Sequence, residues 1–264
     1  MEVLRPGDKI GRAAFPIFLY WILSMAFPML LTAVSGVGFL EPGRKMWFLT
    51  AENFLMLPVF WLLYRRDRNA YKRGDEGKGN DLGGRSLRGW KDLVLAAVGA
   101  VCISRGVNYF LALTFLPQVF PGYREVSEGI SQCGFLSRMA AVVVSAPLLE
   151  EVLMRGLVYG RLKEALGEPR KAIVISGLIF GMFHGNVVQG IYAFAVGLFF
   201  AQVYEAGKTL FLPVLAHMAV NAVSLLEAQT GWLEGLGRLP GAYYLVTAAF
   251  LAAGMLCWRY FARK

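Results

Sequence analysis

Side chains that can do chemistry are rare in the apolar part of this chain, and they fall into three short motifs. EEVLMR runs from Glu150 to Arg155, FGMFH ends at His184, and HMAVN runs from His217 to Asn221. Both histidines of the 264-residue chain lie in these motifs, within apolar surroundings. An ionisable group inside a membrane costs about 2.5–3.5 kcal/mol on insertion scales, so each one needs a partner or a wet cavity. The three motifs are therefore the candidate functional site.

The two glutamates of the first motif are expected to have different roles. Glu151 and Arg155 are four residues apart, which is the favourable acid-first spacing for an ion pair on one helical face. Glu150 is rotated by about 100° from its neighbour, and its own helix offers it no partner. We therefore expect Glu151 and Arg155 to be a structural pair and Glu150 to be free for chemistry.

Together the motifs could hydrolyse an amide. Glu150 would accept a proton from a water molecule held against His184. His217 and Asn221 would donate to the carbonyl oxygen as negative charge develops on it. In the alternative assembly, Glu150, His184 and His217 bind Zn²⁺, which also turns water into a nucleophile. The spacing does not choose between the two, and the soluble hydrolase motifs HExxH and GxSxG do not occur in the chain.

The elements that position these motifs are predicted to be membrane-spanning helices. Hydrophobic residues make up 56% of the chain and charged residues only 17%, which excludes both an ordinary soluble globule and disorder. A spanning helix needs roughly 20 mostly apolar residues. The apolar blocks are residues 13–40, 46–64, 93–123, 139–160, 172–204, 209–226 and 239–258. We expect the fifth block to break near residues 185–190, because one helix of that length would be roughly 50 Å long. The fold class is then all-α, a polytopic helical bundle with about eight transmembrane segments.

The distribution of basic residues orients this bundle. Of the 27 Lys and Arg residues, 20 fall on one set of alternate loops and 5 on the other, which predicts that both termini are cytoplasmic. The net charge of +9 then faces the anionic inner leaflet, so the lipid bilayer is the expected partner and nucleic acid is not. We divide the single membrane domain into residues 1–138, with a basic cytoplasmic loop over 65–92, and a core over 139–264.

In this topology the three motifs meet at one depth. Counted from the ends assigned to the cytoplasm, Glu150, His184 and His217 lie roughly 15, 18 and 12 Å into the membrane. Arg105 also sits within a span, and we expect it to pair with Glu150 or Glu151, or only to line a wet cavity. Phe180 is expected to pack at the edge of that cavity.

The motifs resemble, in the same order, the EExxxR, FxxxH and HxxxN motifs of the CPBP intramembrane proteases, the Abi-type family of CAAX and bacteriocin-processing proteases. The match covers roughly residues 139–226. It implies an eight-helix fold and endopeptidase activity. By this resemblance Glu150 and His184 activate the water. His217 and Asn221 support the oxyanion, while Glu151 and Arg155 fill the remaining motif positions.

The expected substrate is a peptide or protein with an extended tail or leader, cleaved in the cell membrane of a prokaryote. We favour a glutamic protease without a cofactor, and zinc dependence stays open. Two other classes also stay open. A transporter or proton relay would use buried Glu, His and Arg. A non-catalytic scaffold or immunity protein could keep the motifs because their contacts stabilise the fold.

Overall fold

The computed structural model describes residues 6–36, 42–75, 89–231 and 241–264, and all regular structure in these ranges is helical. The helices are α1 (Pro6–Ser35), α2 (Pro42–Asp75), α3 (Trp90–Ala112), α4 (Leu116–Val119), α5 (Gly122–Ser131), α6 (Phe135–Arg138), α7 (Ala146–Glu151), α8 (Gly160–Leu166), α9 (Pro169–Met182), α10 (Val187–Gly207), α11 (Phe211–Thr230) and α12 (Ala242–Ala262). Two π-helical segments, π1 (Met139–Ser145) and π2 (Val152–Tyr159), join α6, α7 and α8 without interruption. We call residues 135–166 the central helix.

Among the described residues, six helices are long and apolar enough to cross a membrane, namely α1, α2, α3, α10, α11 and α12. This confirms an all-α, multi-pass integral membrane protein. The other two expected segments correspond to the central helix and to α9, which has only 14 residues. The count of eight spans, the cytoplasmic termini and the division at residue 138 stay predictions. Parts of the first and last expected segments and of the basic loop, at 37–40, 239–240 and 76–88, lie outside the described residues.

The third segment is shorter than expected. We expected it to reach Tyr123, but α3 ends at Ala112 and two short helices follow. Pro117 and Pro121 lie at the starts of these short helices. Proline lacks an N–H and its ring clashes with the preceding turn, so it disfavours the continuation of a helix. The chain therefore turns at the end of α3 instead of continuing as one long helix.

The long uncharged block 172–204 is broken where the sequence predicted. Gly185 lies in the turn between α9 and α10 with a φ of +71°, a conformation that only glycine adopts without strain. The side-chain oxygen of Asn186 accepts a hydrogen bond from the backbone N–H of Gln189 at 2.8 Å and so caps α10. The break leaves His184 in a turn, just beyond the end of a short helix.

Close glycine packing fixes α9 against α10. A Cβ atom added to Gly181 would lie 2.6 Å from the carbonyl oxygen of Gly190, which is closer than real Cβ contacts allow. Small residues at such interfaces let two backbones approach within a membrane. Phe180 and His184, which belong to the second motif, are therefore held at a set distance from α10.

Ion pairs join residues that the sequence assigned to one end of the bundle. Asp67 of α2 pairs with Arg12 of α1 at 3.2 Å and with Arg161 of α8 at 2.7 Å. At the same predicted end, Glu205 of α10 accepts a hydrogen bond from Lys163 at 2.7 Å. The alternation of loops deduced from the sequence therefore agrees with the contacts between these helices.

We predict that Gly181→Ala destabilises the protein by about 1–3 kcal/mol, because the new methyl group meets backbone that can move only if the helices separate. Gly160→Ala is the matched control. Gly160 is helical with nothing within 4 Å of its added Cβ, so this variant should be neutral or slightly stabilising. Unfolding in detergent measures both variants, and equal stabilities for the two would contradict the close packing of α9 on α10.

Candidate functional site

The central helix changes from α to π geometry at the first motif. α7 ends at Glu151, and π2 continues from Val152 to Tyr159 with every residue buried. π-helical turns are rare and occur frequently at functional sites. Here they lie on both sides of the two adjacent glutamates, within the helix that forms the middle of the core.

The geometry of π1 frees a carbonyl group for the third motif. The N–H of Ala146 donates to the carbonyl of Ala141, five residues earlier, and Pro147 has no N–H to donate. The carbonyl oxygen of Val142 therefore receives neither of the usual helical hydrogen bonds. Instead it accepts a hydrogen bond from Asn221 Nδ2 at 2.8 Å. This contact orients the Asn221 amide and ties α11 to the central helix.

Glu151 lies at the centre of a buried polar network. Its side chain is 0% exposed and that of Arg155 is 2% exposed. Glu151 Oε1 accepts hydrogen bonds from Arg155 Nη1 at 2.9 Å and from His217 Nδ1 at 2.8 Å. Arg155 Nη2 donates to the carbonyl oxygen of Gly197 at 3.0 Å. The predicted Glu151–Arg155 pair is present, and the network also links the central helix with α10 and α11.

Glu150 is the glutamate that stays available. The distance from its Oε2 atom to His217 Nε2 is 3.9 Å, which is too long for a hydrogen bond. This oxygen is buried and has no hydrogen-bond partner among the described residues. Buried polar atoms are nearly always paired with protein or ordered water. The gap between Glu150 and His217 is therefore a place where a water molecule or a polar group of a substrate would be held.

His184 presents one free ring nitrogen. Its Nδ1 lies 2.8 Å from the carbonyl oxygen of Phe180, and a carbonyl can only accept, so Nδ1 is the donor. In the neutral ring, Nε2 then carries a lone pair and can accept a hydrogen bond from water. The side chain is half-buried, which suits a group that meets a wet cavity.

Phe180 separates the two histidines. Its ring packs edge to face on His184 at a centroid distance of 4.9 Å and on His217 at 5.8 Å. The Arg155 guanidinium lies 4.4 Å from the centre of the same ring, within cation–π range. The Phe200 ring also contacts two of these residues. Its centroid lies 5.0 Å from that of the His217 ring and 5.0 Å from the Arg155 guanidinium. Phe180 therefore sets the spacing of the site, and Phe200 is a residue that the motifs did not single out.

Comparison with known proteins adds to this geometry. Residues 132–223 match the family model for Type II CAAX prenyl endopeptidase Rce1-like proteins. Over this range the chain is similar to the Rce1-like family. The Rce1-like range contains all three motifs.

Two curated bacterial relatives also match. The chain is 31% identical over 99 residues to the putative membrane peptidase YdiL of Bacillus subtilis, covering 35% of this chain and 40% of that protein. It is 28% identical over 116 residues to the membrane-embedded CAAX protease MroQ of Staphylococcus aureus, covering 40% and 47%. The chain thus spans less than half the length of the curated relatives that it matches. No solved structure matches it.

Arg105 lies outside the Rce1-like range and has a different partner from those we expected. We expected it to pair with Glu150 or Glu151, but its guanidinium forms an ion pair with Glu227 and donates to Ser224 Oγ at 2.8 Å. The reason is the packing of α3, which lies mainly against α10, α11 and α12. Arg105 therefore joins α3 to the far end of α11.

The three residues proposed as zinc ligands are not arranged as a preformed metal site. Within the described ranges, no group of three or more His, Cys, Asp and Glu side chains is placed to hold a metal ion. Nδ1 of His217 is already bonded to Glu151, and Nδ1 of His184 to a backbone carbonyl. These bonds leave Nε2 of both rings free, as they do in metal-bound histidines, so the choice between a zinc site and a metal-free site stays a prediction.

Two further residues, Glu52 and Tyr20, lie outside the three motifs. Glu52 is only 8% exposed. Tyr20 of α1 lies in the electrostatic field of both Glu150 and Glu52, and its ring packs on Phe183 at 4.6 Å. Glu52 could have been found as the only charge in its apolar block, whereas Tyr20 carries no such signal.

We predict that Arg155→Met destabilises the protein by about 3–5 kcal/mol, because it leaves the Glu151 carboxylate buried without its cation. The double variant Glu151→Gln/Arg155→Met removes both charges, so it should be less destabilised than the single variant. Unfolding in detergent provides the measurement. A loss in the double variant as large as that in Arg155→Met, or a single-variant loss below about 1 kcal/mol, would mean that the pair is not the buried network described.

Proposed function

We propose that this protein is an intramembrane endopeptidase in which Glu150 activates a water molecule for attack on an amide bond. The observation that carries the proposal is the buried, unpartnered Glu150 Oε2 atom facing His217 Nε2 at 3.9 Å. The Rce1-like family match supports peptide hydrolysis as the reaction, as do relatives named as a membrane peptidase and a membrane-embedded protease.

The charges of the buried group favour one mobile proton. Glu150 and Glu151 as carboxylates carry two negative charges, and Arg155 carries one positive charge, so the group has a net charge of −1. An uncompensated charge is costly away from water. One proton shared by Glu150 and His217 makes the group neutral. Because His217 Nδ1 is bonded to Glu151, a proton gained by the ring would lie on Nε2, the atom that faces Glu150.

Hydrolysis then proceeds through these groups. Glu150 takes a proton from the water, and the oxygen of the resulting hydroxide bonds to the carbonyl carbon of the substrate. His184 Nε2 accepts the other hydrogen of the water and so orients it. When the tetrahedral intermediate breaks down, Glu150 returns its proton to the amide nitrogen and the C–N bond breaks. The products are a carboxylic acid and an amine, which account for one water molecule.

Negative charge on the carbonyl oxygen needs donors at the moment it develops. Protonated His217 supplies Nε2–H. Asn221 Nδ2 has two hydrogens, and only one of them is used by the Val142 carbonyl. The second is available to the oxyanion. The π1 segment contributes here, because its free carbonyl holds the Asn221 amide in one orientation.

The substrate in this proposal is a peptide or protein with an extended tail or leader. A folded helix has its amide groups engaged in backbone hydrogen bonds, so a segment must be unwound before water can attack it. The break between α9 and α10 supports access, because irregular backbone at membrane depth is tolerated where it lines a water-filled cavity.

We predict that Glu150→Gln lowers kcat about 10²–10⁴-fold, because the amide cannot act as a general base. His184→Ala should also lower kcat, while KM and the unfolding temperature of Glu150→Gln stay close to wild type. The assay is cleavage of a confirmed peptide partner by protein reconstituted in liposomes. Glu164→Gln is the matched control, because Glu164 has a 48% exposed side chain at the far end of the central helix.

Unchanged cleavage by the Glu150→Gln variant would exclude this mechanism. Two rival classes give different results in the same liposomes. A transporter would show substrate-driven or ion-driven flux, and a scaffold would keep its biological function in a Glu150→Ala variant.

We predict that chelators leave the activity unchanged, because in the proposed mechanism Glu150 activates the water without a metal ion. The test compares cleavage with and without phenanthroline, together with metal analysis of the active protein. Loss of activity that Zn²⁺ restores would instead assign water activation to a metal ion.

A further inference from the structure

An apolar groove of about 630 Å³ opens on the side of the bundle between α2 and α11. Its walls include Leu57 and Trp61 of α2 and Val214 of α11, and Leu148 and Val152 of the central helix form its floor. The volume falls within the roughly 300–1,000 Å³ of ordinary ligand sites. Both α2 and α11 pack directly on the central helix, so the groove is a gap in the lipid-facing surface.

The groove faces away from the catalytic group. Glu150 is two residues from Leu148 and two from Val152, which places it about 200° around the helix from each of them. Glu150 Oε2 instead faces His217 Nε2 at 3.9 Å. A chain lying in the groove could not present an amide bond to Glu150. The groove is therefore distinct from the place where the proposed peptide substrate reacts.

The groove has one polar end. Arg68 of α2 and Thr209, just before α11, line it there. Arg68 follows Asp67, whose ion pair with Arg161 marks the end of the bundle that is predicted to be cytoplasmic. The remaining lining is almost entirely apolar or aromatic. A ligand that matches this surface has a long apolar chain and a negatively charged head.

The length of the groove matches one leaflet. Leu57 and Arg68 are eleven residues apart on α2, a rise of about 16 Å. Half of a bilayer core of about 30 Å is about 15 Å. An acyl chain that begins at the headgroup level beside Arg68 would therefore reach Leu57 near the middle of the bilayer.

We propose that this groove binds one acyl chain of an anionic phospholipid whose phosphate accepts hydrogen bonds from Arg68. Basic pockets between helices on the cytoplasmic side favour such headgroups. The chain packs on Leu148 and Val152, directly behind the glutamate pair, so the bound lipid supports the helix that carries the site. This proposal does not depend on the peptidase reaction.

Native mass spectrometry of protein released from nanodiscs with equal phosphatidylglycerol and phosphatidylcholine tests the proposal. Wild type should retain phosphatidylglycerol in preference to phosphatidylcholine. Arg68→Gln should lower phosphatidylglycerol retention roughly fivefold, the effect of one basic residue near the surface, and leave phosphatidylcholine unchanged. Arg65→Gln is the matched control, because Arg65 is exposed on the same helix and does not line the groove.

A second pair of variants tests the apolar part. Val214→Trp fills the groove and should abolish retention of both lipids, whereas Leu62→Trp, at an exposed site outside it, should not. Equal losses in Arg65→Gln and Arg68→Gln would overturn the site in favour of general surface charge. Undiminished lipid retention in Val214→Trp with a raised KM for peptide would assign the groove to substrate. If Val214→Trp does not fold, the difference in phosphatidylglycerol retention between Arg68→Gln and Arg65→Gln is the test of the proposal.

Discussion

The structure of the site depends on one buried carboxylate. Glu151 has no exposed surface and accepts hydrogen bonds from both Arg155 and His217. In a membrane such a group is tolerated only when its partners are fixed, because a lost partner cannot be replaced by water. Through Arg155 the carboxylate is joined to the Gly197 carbonyl of α10, and through His217 to α11. Three helices are thus held in one relative position, and Oε2 of the neighbouring Glu150 has no hydrogen-bond partner among the described residues.

Irregular backbone provides polar contacts of the site that regular helices could not provide. The π1 segment and Pro147 together leave the Val142 carbonyl free for Asn221, and the glycine turn after α9 lets His184 leave the helix while its ring remains against Phe180. In a regular helix each carbonyl is used by the helix itself. Local departures from the α-helix therefore create the polar contacts of the site inside an otherwise apolar bundle.

The site and the lateral groove use opposite sides of the same helix. Glu150 faces His217, while Leu148 and Val152 face the gap between α2 and α11. One helix can serve both because successive residues point in different directions. The central helix can therefore carry polar chemistry on one side and contact an apolar chain on the other.

The sequence by itself determined the helical membrane class, the three motifs, the break in the long apolar block and the Glu151–Arg155 pair. These features depend on composition or on spacing along a single helix, which helical geometry converts directly into position. Only the tertiary structure decided that His217 bonds to Glu151, that Arg105 pairs on α11, and that Glu52 is buried. Each of these features depends on which helices are neighbours and on how far each helix is rotated about its axis. Packing between segments distant in the chain sets both, and the spacing within one segment does not contain that information.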